Sequence, residues 1–404
     1  MDDAQSSAST IRPRVAKVCA IDFSVLKLLR PQIEAMQQAG YDVVSFCSDG
    51  PSRPQLEAEG LAIEPVEIAR RIAPWQDLKA LVRLTRLFRR GRFDIVHTHT
   101  PKAALLGQLA AWLARVPVRV NTVHGLYYLA FDEGLRRRLF KALEIFACRL
   151  ATYVFSQSEE DLDLMQRERL VDPERLAWLG NGIDLTRFRP GPERREDRRQ
   201  VREELGLPED AFVVGIVARM VPEKGFRELF EAFARLRGKA DNAYLLHVGI
   251  VDHSRSAEVS PESAEQFGVA EFCRFAGQRD DVDRLMAAMD VFCLPSYREG
   301  YPRSVMEANA MGLPAVATDI RGCREAVQEE VNGLLVPAKE VEPLAAALWR
   351  LYENADLRQQ LSEGARRRAE QVFDEQRVID KILAAYRRLL ASQAPKQAAK
   401  SSAT

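Results

Sequence analysis

A chain of 404 residues carries 58 Lys+Arg against 58 Asp+Glu. That length supports two ordinary domains, and the balanced charge argues against a bulk polyelectrolyte partner such as nucleic acid. No apolar run approaches the ~20 residues needed to span a bilayer, and the opening MDDAQSSASTIRPR lacks the apolar core of a signal peptide. Cys19, Cys47, Cys148, Cys273, Cys293 and Cys323 lie apart, without a C-x2-C pair. They are expected to be reduced core thiols of a cytosolic protein, not disulfides or zinc ligands.

In chain order, the first expected elements are a strand at Ala16–Ile21, a helix from about Leu26 to Ala39 closed by Gly40, and a strand at Tyr41–Phe46. An amphipathic helix follows at Asp77–Arg90. Then come strand Phe93–His97, helix Ala103–Ala114, strand Val118–Thr122, helix Leu135–Ala151, strand Tyr153–Ser156 and strand Ala177–Leu179. Strand followed by helix at each step predicts a parallel sheet with right-handed crossovers. Residues 187–202, RFRPGPERREDRRQVR, have the Pro- and charge-rich composition of a linker.

The second half restarts with Phe212–Val217, a helix Gly225–Leu236, strands Tyr244–Val248 and Cys273–Phe275, and a helix Val282–Met289. A last helix is expected at about Gln376–Leu390. The expected division is a disordered N-terminus (1–12), a first domain (13–190), a linker (191–203), a second domain (204–375), the terminal helix (376–390) and a disordered tail (391–404).

The most informative stretch is Pro295–Ala317, PSYREGYPRSVMEANAMGLPAVA. A buried strand at Val291–Pro295 empties into a loop with Glu299, Gly300 and Pro302, and a helix runs to about Met311 before the next strand, Ala315–Thr318. Ligands of doubly wound sheets bind beyond the carboxyl ends of the strands. Pro302 suits the first helical position, which leaves the amides of roughly Arg303–Val305 as an anion site. Glu299 and Glu307 flank that site, where carboxylates would accept hydrogen bonds from ligand hydroxyls. An anion beside hydroxyls on both sides describes a sugar nucleotide. A second cluster is Arg219 and Lys224 in ARMVPEKG, two cations between a strand end and a helix start, suited to a diphosphate. His124, in NTVHG, opens from a strand end in the first half.

These motifs resemble the retaining glycosyltransferases of family GT4. Their E-x7-E motif corresponds to Glu299-GYPRSVM-Glu307, their R-x4-K-G run to Arg219–Gly225, and their NG-[VI]-D turn to Asn181–Asp184. The resemblance covers residues 14–390 and is densest over 211–337. HTHTPKAALLG, VNTVHG and PSYREGYPRS bring it nearest to enzymes that extend bacterial lipid-linked or surface polysaccharides. It implies a GT-B fold, α/β, in which two Rossmann-like doubly wound domains face each other across a cleft and a C-terminal helix crosses back to the first. By resemblance, His124 and Glu299 face the transferred sugar and Arg219 and Lys224 clamp the diphosphate. Gly300, Tyr301, Pro302, Arg303, Ser304 and Glu307 hold the donor, with Glu307 on the ribose, and Gln278 and Arg279 line the base pocket.

One departure stands out. Where many members have a Gly-Gly loop after the first strand, this chain has Asp22-Phe23-Ser24-Val25. Phe23, Ser24 and His99 are the acceptor-side candidates. Asp280-Asp281-Val282-Asp283 is expected to open a helix rather than bind metal, so neither a metal nor a cofactor is expected.

The implied reaction moves a hexose-type sugar from a nucleoside diphosphate sugar, UDP-linked in this reading, to a lipid-linked saccharide or glycan, with retention. The alternatives are a soluble small-molecule acceptor and an inactive sugar-nucleotide-binding protein. A dinucleotide oxidoreductase would need a G-x-G-x-x-G turn that neither half provides. The helices Lys79–Arg90 and Leu135–Leu150 pair apolar and Arg-rich faces. That suits either solvated surfaces or peripheral contact with the anionic inner face of the cell membrane.

Overall fold

The structure, a computed structural model, describes residues 12–69, 71–251 and 259–401. The chain divides into two compact units, residues 1–179 with 379–404 and residues 180–378.

In the first unit β1 (Arg14–Ile21), β2 (Asp42–Ser48), β3 (Ala62–Pro65), β4 (Ile95–His99), β5 (Val118–Val123), β6 (Tyr153–Ser156) and β7 (Leu176–Trp178) form one sheet in the order β3-β2-β1-β4-β5-β6-β7. In the second, β8 (Phe212–Val217), β9 (Ala243–Val248), β10 (Cys273–Phe275), β11 (Val291–Leu294), β12 (Ala315–Thr318) and β13 (Gly333–Val336) form another in the order β10-β9-β8-β11-β12-β13. All pairings within the two sheets are parallel. Counted from its own first strand, each sheet begins 3-2-1-4-5-6, the doubly wound order. The order reverses between β1 and β4 and between β8 and β11, and those two crevices are where such sheets bind ligands.

Parallel sheets covered by helices on both faces need apolar residues at successive positions. Accordingly VFCL of β11 and AVAT of β12 are buried at every residue. All six cysteines are buried and free, as expected of core thiols.

Several boundaries differ from the sequence expectation. Strand β4 runs two residues further, to His99, because its ladder with β5 extends to His99↔Thr122. The first helix starts at Asp22 directly after β1 and passes through one π-helical turn, Val25–Leu29. Phe23 and Ser24 therefore lie in its first turn rather than in a loop. Asp22 anchors the start: its carboxylate accepts from the amides of Phe23 at 2.8 Å and Ser52 at 2.6 Å. The edge strand β3 was not anticipated, and its Pro65 is tolerated there.

Residues 192–203 of the expected linker are helical, within Pro192–Glu204, which starts with proline at a position that suits it. Arg199 pairs with Glu196 at 2.6 Å and Glu203 at 3.4 Å along its exposed face. Val201 and Arg202 are buried, with Arg202 reaching Asp290 at 3.0 Å. Charge content alone could not distinguish a solvated linker from a helix laced with short-range pairs.

The terminal helix spans Glu375–Ser401, and from Ile379 onward it belongs to the first unit. It thus continues through 391–401, where disorder was expected, since Ala-, Gln- and Lys-rich composition also favours helix. Residues 402–404 and 1–11 of the expected disordered ends lie outside the described residues.

Candidate active site

In the second unit, the loops leaving β8 and β11 meet at the crevice. Tyr297 donates its amide to the Glu223 carbonyl at 2.8 Å. Gly225 takes φ +71°, and a Cβ there would lie 2.1 Å from the Pro295 carbonyl oxygen. Only glycine allows that backbone crossing. The interlock places Lys224 Nζ 2.5 Å from Glu299 Oε1, with both side chains largely covered. Tyr297 is held in turn by Glu228, at 2.7 Å from each carboxylate oxygen. Arg219 stands exposed just after β8.

The helix after β11 spans Arg303–Ala310, with Pro302 as the capping residue (φ −72°, ψ 103°) rather than the first helical one. The amides of Val305 and Met306 close on the Pro302 carbonyl at 3.1 and 3.3 Å. The open amides among the described residues are therefore those of Arg303 and Ser304, one fewer than expected. Arg303 Nε bonds Glu307 Oε1 at 3.0 Å, and its Nη1 reaches the Gly182 carbonyl at 3.0 Å. Burial raises the Glu307 pKa against the opposing pull of Arg303.

The Asn181–Asp184 turn supports this corner. A Cβ on Gly182 would lie 2.3 Å from Glu375 Cα, so the residue is a packing requirement. Asp184 Oδ1 accepts from the Thr186 and Arg187 amides at 2.8 and 3.1 Å. Its role is structural, and these bonds hold its pKa down against its partial burial.

Gln278 is exposed, and Arg279 is engaged by Asp281 at 2.8 Å and Glu204 at 2.6 Å. Gln278 and Arg279 follow β10, the edge strand two places from β8. Asp281, the capping residue of the next helix, does not cap it with its side chain. Asp281 pairs with Arg279 and Arg284, and Asp283 pairs with Arg187 at 2.7 Å and Arg194 at 3.0 Å. Capping thus gives way to ion pairing. Among the described residues no cluster of three His, Cys, Asp or Glu side chains could hold a metal ion.

In the first unit the carboxyl ends of β4 and β5 bring His99 and His124 together, Nδ1 to Nε2 at 3.0 Å, and His124 Nδ1 meets Gln157 Oε1 at 2.9 Å. His99 is buried, and its Nε2 has no partner among the described residues. The following residue, Thr100, is a β-branched residue at φ +66°, a strained backbone of the kind found at functional sites. Phe23 is exposed and Ser24 half-buried at the carboxyl end of β1. Burial pushes the His99 pKa well below the ordinary histidine range and that of His124 down to about 4, with the Lys17 cation adding to both.

His97, expected as the last residue of its strand, is instead interior. It bonds Tyr386 Oη at 2.7 Å, Thr122 Oγ1 at 2.7 Å and Lys17 Nζ at 3.2 Å. Lys17 and Tyr386 were not anticipated. A lone lysine inside the apolar run VAKVCAI was a signal for the first, whereas nothing in the local sequence marked the tyrosine.

A doubly wound sheet whose switch point carries a lysine–carboxylate pair, an open helix start and a second, largely covered glutamate belongs to the class of nucleotide-binding α/β proteins. Residues 197–368 match the family of group 1 glycosyl transferases and residues 28–182 the glycosyl transferase 4-like domain. The chain is 32% identical over 322 residues to a D-inositol 3-phosphate glycosyltransferase of Saccharomonospora viridis, covering 75% of this chain and 72% of that one. It is 27% identical over 382 residues to the UDP-Gal:alpha-D-GlcNAc-diphosphoundecaprenol alpha-1,3-galactosyltransferase of Escherichia coli, covering 94% and 97%. The fold superposes with a TM-score of 0.79 on Anabaena HepE in complex with UDP, at 21% identity, over 93% of this chain and all of that one. The chain belongs to the GT4-like group 1 glycosyltransferases, with the GT-B fold, and is a glycosyltransferase.

Proposed function

We propose that the protein transfers a hexose-type sugar from a UDP-sugar to a lipid-linked saccharide with retention of configuration. The observation that carries this reading is the Lys224–Glu299 pair beside the open amides of Arg303 and Ser304 at the β8/β11 switch point. In this reading the diphosphate displaces Glu299 from Lys224, and Arg219, Lys224 and the helix start stabilise the charge that grows on the leaving phosphate. Freed Glu299 accepts from sugar hydroxyls, and Glu307 accepts from the ribose while Arg303 steadies it. The leaving phosphate oxygen takes the proton of the attacking hydroxyl on the face it vacates, which gives retention without a protein nucleophile. Phe23, Ser24 and His99 line the acceptor side, and His124 the sugar side.

The UDP and lipid-linked assignments draw on the names of the relatives. The 32% identical D-inositol 3-phosphate glycosyltransferases support a second reading, a soluble polyol phosphate acceptor. Thermal unfolding with UDP, UDP-glucose, UDP-galactose and a GDP-sugar tests the donor, since a ligand bound only by the native state raises its stability. The UDP compounds should raise Tm and the GDP-sugar should not. Transfer assays with an undecaprenyl-diphosphate saccharide and with inositol phosphate then separate the acceptors.

Among the described residues no helix is long and apolar enough to cross a membrane. The helices Pro74–Gly91 and Leu135–Leu150 nevertheless expose Trp75 (79%) and Leu135 (84%), with Leu78, Val82, Leu139 and Phe146 along their lengths. Both helices start at the carboxyl ends of strands, the edge that also carries His99 and His124. Their Arg-rich flanks suit an anionic leaflet holding the acceptor. Peripheral contact with that leaflet is part of the proposal.

A further inference from the structure

The first unit contains a buried polar chain that the proposed transfer reaction does not use. Lys17, in the middle of β1, is fully buried, its Nζ 3.2 Å from both His97 Nδ1 and Gln32 Oε1. Tyr386, fully buried on the terminal helix, brings its hydroxyl 2.7 Å from the same Nδ1. Two donors converging on one ring nitrogen make it an acceptor, so the His97 proton sits on Nε2 and is donated to Thr122 Oγ1 at 2.7 Å.

The His97 ring lies over the His99 ring, centroids 4.3 Å apart and 30° between planes. At the far end, Gln157 Oε1 accepts from the His124 Nδ1–H, so His124 Nε2 accepts from His99 Nδ1. The tautomers of all three imidazoles follow from these partners. Protonating any of them would set a second positive charge near the buried Lys17 ammonium. Among the described residues the groups acting on this chain are Cys19 from β1, which faces Lys17, and Tyr41, which faces Tyr386. No carboxylate acts on Lys17 or the three imidazoles to offset a second positive charge.

We propose that Lys17, His97 and Tyr386 are positioning residues for the His99–His124 pair, the buried Lys17 ammonium adding to burial in holding both imidazoles neutral. This rests on the reading of His124 as the sugar-side residue. Burial lowers the Lys17 pKa to about 7, so the ammonium carries its charge below that pH, over the lower part of the range in which histidine otherwise titrates.

Imidazole nitrogen NMR tests the arrangement directly, because the chain has five histidines. In the wild type His97 should be Nε2-protonated and His99 and His124 Nδ1-protonated, with none of the three titrating near pH 6.5. In Lys17→Met, which replaces the ammonium with an apolar side chain of similar length, the His99 and His124 transitions should move up by roughly one pH unit. The acid limb of kcat/KM for UDP release from UDP-galactose should move with them. Tyr386→Phe, which keeps the charge, should leave those transitions in place.

Wild-type histidines that titrate near 6.5, or transitions unmoved in Lys17→Met, overturn the inference without reference to activity. Transitions that move while the kcat/KM limb stays fixed overturn the positioning role. Failure of wild-type protein to bind UDP-sugar by thermal shift would instead count against the donor assignment.

Discussion

The Lys224–Glu299 pair sets a cation and an anion 2.5 Å apart where a diphosphate would arrive. In the proposed mechanism Glu299 is a placeholder that keeps Lys224 oriented, and donor binding exchanges one anion for another. Lys224→Ala should lower turnover on the order of 10²-fold or more with donor saturating, while Tm changes little. Steady-state kinetics and a melt decide it, and wild-type turnover would remove Lys224 from the chemistry. The two glutamates should separate by readout. Glu307→Gln should weaken UDP and raise the donor KM, since a ribose contact contributes equally to ground and transition states. Glu299→Gln, which removes the anion that competes for Lys224, should hold or raise UDP affinity while transfer falls. Titration calorimetry with UDP on both variants distinguishes them, and equal loss of affinity would mean that the roles are misassigned.

At the scale of elements, the helices Pro74–Gly91 and Leu135–Leu150 leave apolar side chains facing solvent beside cations. Trp75→Ser with Leu78→Ser should reduce sedimentation with vesicles containing anionic phospholipid and leave sedimentation with neutral vesicles at background. Added salt should weaken the wild-type interaction, as expected when charge attraction contributes. Binding that ignores both lipid charge and the double substitution would exclude this surface.

The elements also show how far the sequence was legible. Strands β8, β11 and β12 and the helix bearing Glu307 could be read because apolar runs, Gly-Pro loops and carboxylate spacing all agree. Gln278 and Arg279 illustrate the opposite case. Their place near a base pocket came from resemblance alone, and local pairing with Asp281 and Glu204 decides where the guanidinium goes. The His97–Tyr386 contact joins residues 289 positions apart, a separation that no local pattern encodes. The helix Pro192–Glu204 was hidden by its charge, because the arginines that resemble a solvated linker are the ones that pair along it.

For the whole molecule, buried Lys17 is a stability term with a definite pH sign. Burial depresses its pKa to about 7 in the folded chain against 10.5 when exposed. The unfolded state therefore holds more protons between those values, and folding stability rises with pH across that window. The penalty is fully present below about pH 7 and disappears above about pH 10.5, an upper bound of about 5 kcal/mol. Urea denaturation of wild type at pH 6.5 and pH 9.5 should show the increase. Lys17→Met should flatten it and be the more stable protein at the lower pH. A wild-type stability that falls over this range by more than other groups explain would contradict the buried cation.

At the point where Gly182 leaves no room for a side chain against Glu375, Ile183 and Asp374 form a parallel bridge, with the Ile183 amide bonded to the Phe373 carbonyl at 2.8 Å. The chain thus enters and leaves the second unit side by side. In topological terms residues 180–378 are an insertion within the first unit, and segments with adjacent ends and a core of their own are those that survive excision. A fragment of residues 180–378 should fold cooperatively and retain UDP affinity in isolation, because Lys224, Glu299, Arg303 and Glu307 all lie within it. Its melt and UDP titration would show whether nucleotide recognition is separable from the rest of the enzyme. A fragment that folds but ignores UDP would place the missing contacts in the other unit.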